Sequence, residues 1–199
     1  MRMDDGKDLI TALAQTSPNP WRRRTRRTAY ENEWLTVWHD EVVRPDGSDG
    51  IYGVVHFATT AVCIAATEGD RVLLVGQHRY PLDGEWSWEL PAGGVPAEEA
   101  ALDGARRELE EESGYTANRW RELARFVLLD GASDLRGVIY EASDLSAGEA
   151  SESDFETLAV RWVTLEQALM LIDEGVIADA MSQMALLRIA VDRGIRRPR

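Results

Sequence analysis

One amphipathic segment interrupts a run of strands that fills the middle of the chain. Between Pro96 and Ser113, Leu102, Ala105 and Leu109 recur at helical spacing. Pro96 suits a first helical turn, and Glu98 and Glu99 favour the positive end of its dipole. Gly114 suits a left-handed C-terminal cap. β-type runs lie on both sides. Trp34–Val43 and Ile51–Phe57 flank the turn signal Arg44-Pro45-Asp46-Gly47 and read as a hairpin. Ala61–Ala66 and Arg71–Gly76 form a second pair across Thr67-Glu68-Gly69-Asp70. Strands follow near 121–129 and 136–142, and Leu158–Val163 is another. Helices fit 165–174 and 179–192, the latter opened by Asp179-Ala180-Met181-Ser182. The order predicts an α/β or α+β sandwich rather than a doubly wound sheet.

Composition narrows the function classes. With 199 residues the chain suits one domain and a small appendage. Apolar residues at 44% and charged residues at 29% exclude global disorder. Acidic residues outnumber basic ones 35 to 22, for a net charge of −13, which argues against a general nucleic-acid surface. The single cysteine, Cys63, excludes an internal disulfide and a multi-thiolate zinc site, and fits a reducing cytosol. No apolar run approaches the roughly 18 residues of a membrane span. Met1–Asp8 carries three aspartates and does not read as a signal peptide, so the expected location is cytoplasmic. The basic cluster Arg22–Arg27 reads as a solvated linker, with an anion or RNA contact as the sharper alternative. The expected organisation is an arm with a short helix and basic linker over 1–27, a β-rich segment over 28–58, the main domain over 59–193, and a tail over 194–199.

The chemistry is concentrated at the end of the central helix. There Glu108, Glu111 and Glu112 stand at i, i+3 and i+4 and share one face. Like charges at that spacing cost roughly 0.2–0.5 kcal/mol per pair on an exposed helix. The negative end of the helix dipole adds to the penalty. Such a cluster is either a solvated acidic face or a site for a divalent cation. Oxygen donors with no nearby histidine point to Mg²⁺ or Mn²⁺ rather than Zn²⁺.

The flanking residues bear on that choice. Gly93, five residues, Glu99, seven residues, Arg107-Glu108-Leu109, one residue, Glu111-Glu112, one residue, then Gly114 and Tyr115: this 23-residue pattern resembles the Nudix box. Tyr115 stands where an aliphatic residue is more usual. The resemblance implies a Nudix-type α/β/α sandwich with a mixed sheet, plus a small N-terminal β-rich segment. It also implies a hydrolase of nucleoside diphosphates linked to a second group. Gln77-His78-Arg79-Tyr80-Pro81 and Trp88-Glu89-Leu90-Pro91-Ala92-Gly93-Gly94 resemble the ADP-ribose pyrophosphatase branch, as do Tyr30, Trp34 and the 44–47 turn. That branch implies Mg²⁺-dependent conversion of ADP-ribose to AMP and ribose 5-phosphate, and a homodimer. Leu128–Ser133 lacks the proline that the branch carries in a Ser-Pro-Gly-like turn, and Leu135 replaces a glutamate. GDP-mannose, NADH or a dinucleoside polyphosphate therefore remain as alternative substrates, and a non-hydrolytic nucleotide-binding module as an alternative class.

The resemblance also implies roles. Glu108, Glu111 and Glu112, with the Ala92 carbonyl, are the expected ligands for Mg²⁺, with Mn²⁺ as a substitute. Arg107 orients a glutamate or forms a structural ion pair. Gly93, Glu99 and Gly114 serve the loop and helix ends. Glu156, in the acidic loop with Glu149, Glu152 and Asp154, best matches the position of the general base. Arg79 suits a phosphate contact or an ion pair. Trp34 is the favoured aromatic for stacking on the nucleobase. His39, His56 and His78 show no ligand spacing.

Overall fold

The computed structural model describes residues 10, 13–14, 17–148 and 159–195. The chain forms two compact units, Met1–His56 and Phe57–Arg199. The first holds a three-stranded sheet in the order β1-β2-β3, from β1 (Arg22–Glu31), β2 (Leu35–Val43) and β3 (Asp49–Phe57). The β2–β3 turn closes as its residues require. Gly47 sits at φ +85°, which favours glycine, and the Asp46 carboxylate accepts from the Ser48 amide at 2.9 Å.

The basic run is not a linker. Arg22–Arg27 begins β1, which pairs antiparallel with β2. It carries no apolar alternation because every residue of the strand is exposed on both faces. Partners across the sheet hold it instead. Arg26 grips the Asp40 carboxylate through two 2.7 Å hydrogen bonds and lies 3.7 Å over the Trp38 ring. Arg24 pairs with Asp49 at 2.8 Å.

The second unit is built on a seven-stranded mixed sheet. Its main path runs β10 (Ala159–Thr164), β5 (Arg71–Arg79), β4 (Thr59–Glu68), β9 (Arg136–Ala147), β8 (Tyr115–Val127). Two short strands lie off that path: β6 (Glu85–Glu89) on β5, and β7 (Ala92–Pro96) on β4. β4 and β9 are parallel; the other pairs are antiparallel. The helices are α1 (Ala101–Ser113), α2 (Leu165–Asp173) and α3 (Ala180–Asp192). None is long and apolar enough to cross a membrane.

Strand periodicity divides the interior in two. Ala61, Cys63 and Ala65 of β4 face one way and pack with Leu165, Ala168, Ala185, Leu186 and Ile189 of α2 and α3. Val62, Ile64 and Ala66 face the other way and pack with Ala105 and Leu109 of α1. A sheet covered by helices on both faces is the predicted α/β/α sandwich, and the apolar run of β4 follows from burial on both sides.

The central helix starts later than its sequence suggests. Pro96 closes β7 opposite Thr59, and Glu99 lies in a turn whose amide donates to the Pro96 carbonyl at 3.1 Å. The helix begins at Ala101, with Asp103 in its first turn. Pairing with β4 captures Pro96 for the sheet before a helical turn can use it.

Candidate active site

Three backbone features bring the acidic residues together. α1 projects Glu108, Glu111 and Glu112 from its last turns. Gly114 then ends the helix in the left-handed region at φ +73°, its amide donating to the Glu110 carbonyl at 2.8 Å. The Leu90–Gly93 loop runs from β6 into β7 and meets that face. At its edge the Ala92 amide donates to Glu112 Oε2 at 3.0 Å. Gly93 lies directly under Glu108: a Cβ there would sit 2.1 Å from Glu108 Cδ.

Arg107 is the hub of the cluster. Its Nη1 donates to Glu108 Oε1 at 2.8 Å and to Glu111 Oε2 at 2.9 Å, and its Nη2 reaches Glu99 Oε2 at 3.2 Å. Burial disfavours the charged guanidinium, but those three carboxylates outweigh it and hold Arg107 above its ordinary value. Glu108, 13% exposed, shows the opposite balance. Burial pushes its carboxyl up, the neighbouring Glu111 and Glu99 charges add to that, and Arg107 only partly opposes them. Glu112 is 9% exposed.

The sequence-predicted residues thus divide. Ala92, Gly93, Glu99, Arg107, Glu108, Glu111 and Glu112 come together. Arg79 joins the buried Glu89 through two hydrogen bonds, Nε at 3.0 Å and Nη2 on the other oxygen. Trp34 belongs to the first unit, exposed in a turn where its amide donates to Asn32 Oδ1 at 2.9 Å. Glu149, Glu152, Asp154 and Glu156 lie outside the described residues. Glu89 was not singled out by sequence reasoning. Burial raises its carboxyl, but the Arg79 and Ser87 hydrogen bonds and the Arg79 charge outweigh this and leave it below the ordinary range. The signal for it was the alternation Glu85-Trp86-Ser87-Trp88-Glu89, which places Glu85, Ser87 and Glu89 on one face of a strand.

As the side chains stand, no set of three His, Cys, Asp or Glu groups among the described residues is gathered around one metal position. Glu108 and Glu111 turn to Arg107, and Glu112 to the Ala92 amide. The donor chemistry nonetheless fits a hard divalent ion. The donors are all oxygen, and Glu99, Glu108, Glu111 and Glu112 set four negative charges against the one positive charge of Arg107.

Comparison with known proteins bears on the family. The NUDIX domain model matches residues 56–183, and the nucleoside diphosphate sugar hydrolase N-terminal domain model matches residues 21–55. A CMP-5'-(N-acetyl-N-hydroxy-3-aminopropyl)phosphonate hydrolase of Streptomyces rubellomurinus is 30% identical over 171 residues, covering 85% of this chain and 82% of the relative. An ADP-ribose pyrophosphatase of Bacillus subtilis is 29% identical over 159 residues, covering 79% and 85%. Among solved structures, that of an ADP compounds hydrolase superposes with a TM-score of 0.79 at 19% identity, over 92% of this chain and all of that one, and shares the fold. The carboxylate helix, the glycine beneath it and the matched domains place this chain in the Nudix hydrolase family, in its nucleoside diphosphate sugar hydrolase-like part.

Proposed function

We propose that the chain hydrolyses the pyrophosphate bond of a nucleoside diphosphate sugar, ADP-ribose foremost, to AMP and ribose 5-phosphate in the presence of Mg²⁺. The observation that carries this reading is the cluster of Glu99, Glu108, Glu111 and Glu112 around Arg107 and over Gly93. A pyrophosphate is strongly anionic, and only bound cations would make so acidic a surface attractive to it.

Glu108, Glu111 and Glu112, with the Ala92 carbonyl, would hold the ions. Bound there, divalent ions supply Lewis acidity at the phosphoryl oxygens and lower the pKa of the attacking water. The protein's own residues prepare that position. Arg107 ties Glu108 and Glu111 to Glu99 and so limits their rotamers. The Ala92 amide fixes the Oε2 oxygen of Glu112 against the loop. Gly93 lets the Glu108 carboxylate lie against the backbone. Glu156 is assigned as the base that takes the water proton, Arg79 as a phosphate contact, and Trp34 as a stacking partner of the base. A homodimer and a cytoplasmic location complete the reading.

A second substrate class is favoured by one relative. The Streptomyces rubellomurinus protein is named for a CMP-linked phosphonate. A nucleotide other than ADP, joined to another group, is the alternative for this chain. The test is a panel. Purified protein and Mg²⁺ are incubated with ADP-ribose, GDP-mannose, NADH, a dinucleoside polyphosphate and CMP conjugates, and products are identified by mass. AMP and ribose 5-phosphate from ADP-ribose in preference to the others supports the first reading. Preference for a CMP conjugate supports the second, and no turnover of any member refutes both.

A further inference from the structure

Ser182 is fully buried, and the roles assigned above do not use it. It stands in the first turn of α3. The Asp179 side chain caps that helix by accepting from the Ser182 amide at 2.7 Å. The Ser182 hydroxyl oxygen in turn accepts from the Leu90 amide at 2.8 Å, across 92 positions of sequence. Leu90 is itself fully buried and opens the loop that delivers Ala92 and Gly93.

We propose that Ser182 is a positioning residue for the hydrolytic site, acting through the backbone of Leu90–Gly93. The loop is held at three successive residues by three different elements. Ser182 of α3 takes the Leu90 amide, the Ile64 amide of β4 donates to the Pro91 carbonyl at 2.8 Å, and Glu112 of α1 takes the Ala92 amide at 3.0 Å. Only the last bond involves a residue of the acidic cluster. The other two aim it: if Leu90 shifts, Ala92 and Gly93 shift with it, and so do the oxygen of Glu112 and the floor beneath Glu108.

The register of α3 is fixed from its far end too. Asp192 accepts from Arg121 at 2.8 Å, and Arg193 donates to Glu141 at 2.7 Å and to the Gly69 carbonyl at 2.6 Å. These bonds hold the helix independently of the one between Ser182 and Leu90. Removing that hydroxyl leaves the Leu90 amide buried without its partner, and a group in that state draws the chain towards another arrangement.

This inference rests on the acidic cluster being the hydrolytic site, so its test has an arm independent of turnover. Ser182→Ala is compared with wild type and with Ile189→Val, a truncation deeper in the same helix that touches no loop hydrogen bond. Amide hydrogen exchange on the substrate-free protein is expected to lose protection at Leu90 and Ala92 by at least tenfold in Ser182→Ala, and not in Ile189→Val. Protection at Leu73 of β5 is the control. With the best nucleotide substrate, Ser182→Ala is expected to lower kcat tenfold or more and to leave KM within twofold. Unchanged protection at Leu90 and Ala92 would overturn the proposal. So would a kcat loss no larger than that of Ile189→Val at matched thermal stability. If wild type turns over no substrate while the exchange pattern is as expected, the functional reading fails and the positional one stands.

Discussion

A methyl group at position 93 would occupy space that the Glu108 carboxylate now fills. Built on the Gly93 backbone, a Cβ lies 2.1 Å from Glu108 Cδ and 2.3 and 2.4 Å from its two oxygens, whereas ordinary contact begins at 3.4 Å. In Gly93→Ala the carboxylate must therefore withdraw by about 1.3 Å, the difference between contact and the present separation. The backbone itself accepts alanine, because Gly93 is not among the glycines in the left-handed region. The displaced group is the end of a flexible side chain, and what it stands to lose is a partly exposed ion pair with Arg107. The expected loss of stability is below about 1 kcal/mol, which for a chain of this size is a fall in Tm of no more than about 2–4 °C. Catalysis should suffer far more, since a displacement on the order of 1 Å at a reacting centre costs about 100-fold. The assay is kcat for the best nucleotide substrate at saturating Mg²⁺, beside a thermal melt. A folded variant whose kcat stays within about threefold of wild type would refute the reasoning, because the position of Glu108 would then not matter.

Four further outcomes are expected. Glu112→Gln keeps an oxygen for the Ala92 amide and so should melt normally, yet lose activity by about 100-fold or more; normal turnover removes Glu112 from the site. Arg107→Lys replaces a fork holding Glu99, Glu108 and Glu111 with a single ammonium group, and kcat should fall about tenfold with little change in unfolding. Glu89 has its carboxyl held below the ordinary carboxylate range in the folded chain, so its contribution is complete above the unfolded pKa and is lost as pH falls through the lowered folded one; melts from about pH 6 to about pH 3 should fall less steeply in Glu89→Gln, and equal slopes refute the assignment. Gly104→Ala sets a Cβ 2.3 Å from Val95 Cγ2 inside the core, and this overpacking of about 1–3 kcal/mol should exceed the roughly 1 kcal/mol gain in helix propensity, which denaturant titration reads directly.

The box was legible because helical spacing and loop glycines leave fixed intervals in the sequence. Glu108, Glu111 and Glu112 could be put on one face by counting. The strands β6 and β7 were not legible. Each has five residues, and β7 reads Ala-Gly-Gly-Val-Pro, a composition poor in strand formers. Its conformation comes from pairing with β4 from Thr59 to Cys63, a tertiary fact. β1 was hidden for a different reason: a strand exposed on both faces has no apolar face to alternate with. Arg79 could be read as cationic and as ending a strand, but its two bonds to Glu89 depend on which strand lies beside it.

These two kinds of information meet at β4. Its even-numbered residues carry the layer that supports α1 and the carboxylates. Its odd-numbered residues carry the layer that supports α3. The 90–93 loop lies beside the strand between them, with Ile64 holding Pro91 and Cys63 opposite Ala92. Alternation in β4 could be read from the sequence, and so could the amphipathic helices, but the link between opposite layers is made by backbone amides that every residue possesses. A residue such as Ser182 therefore carries no signature of its own. Its importance comes from the amide it meets, and that amide is chosen by the fold.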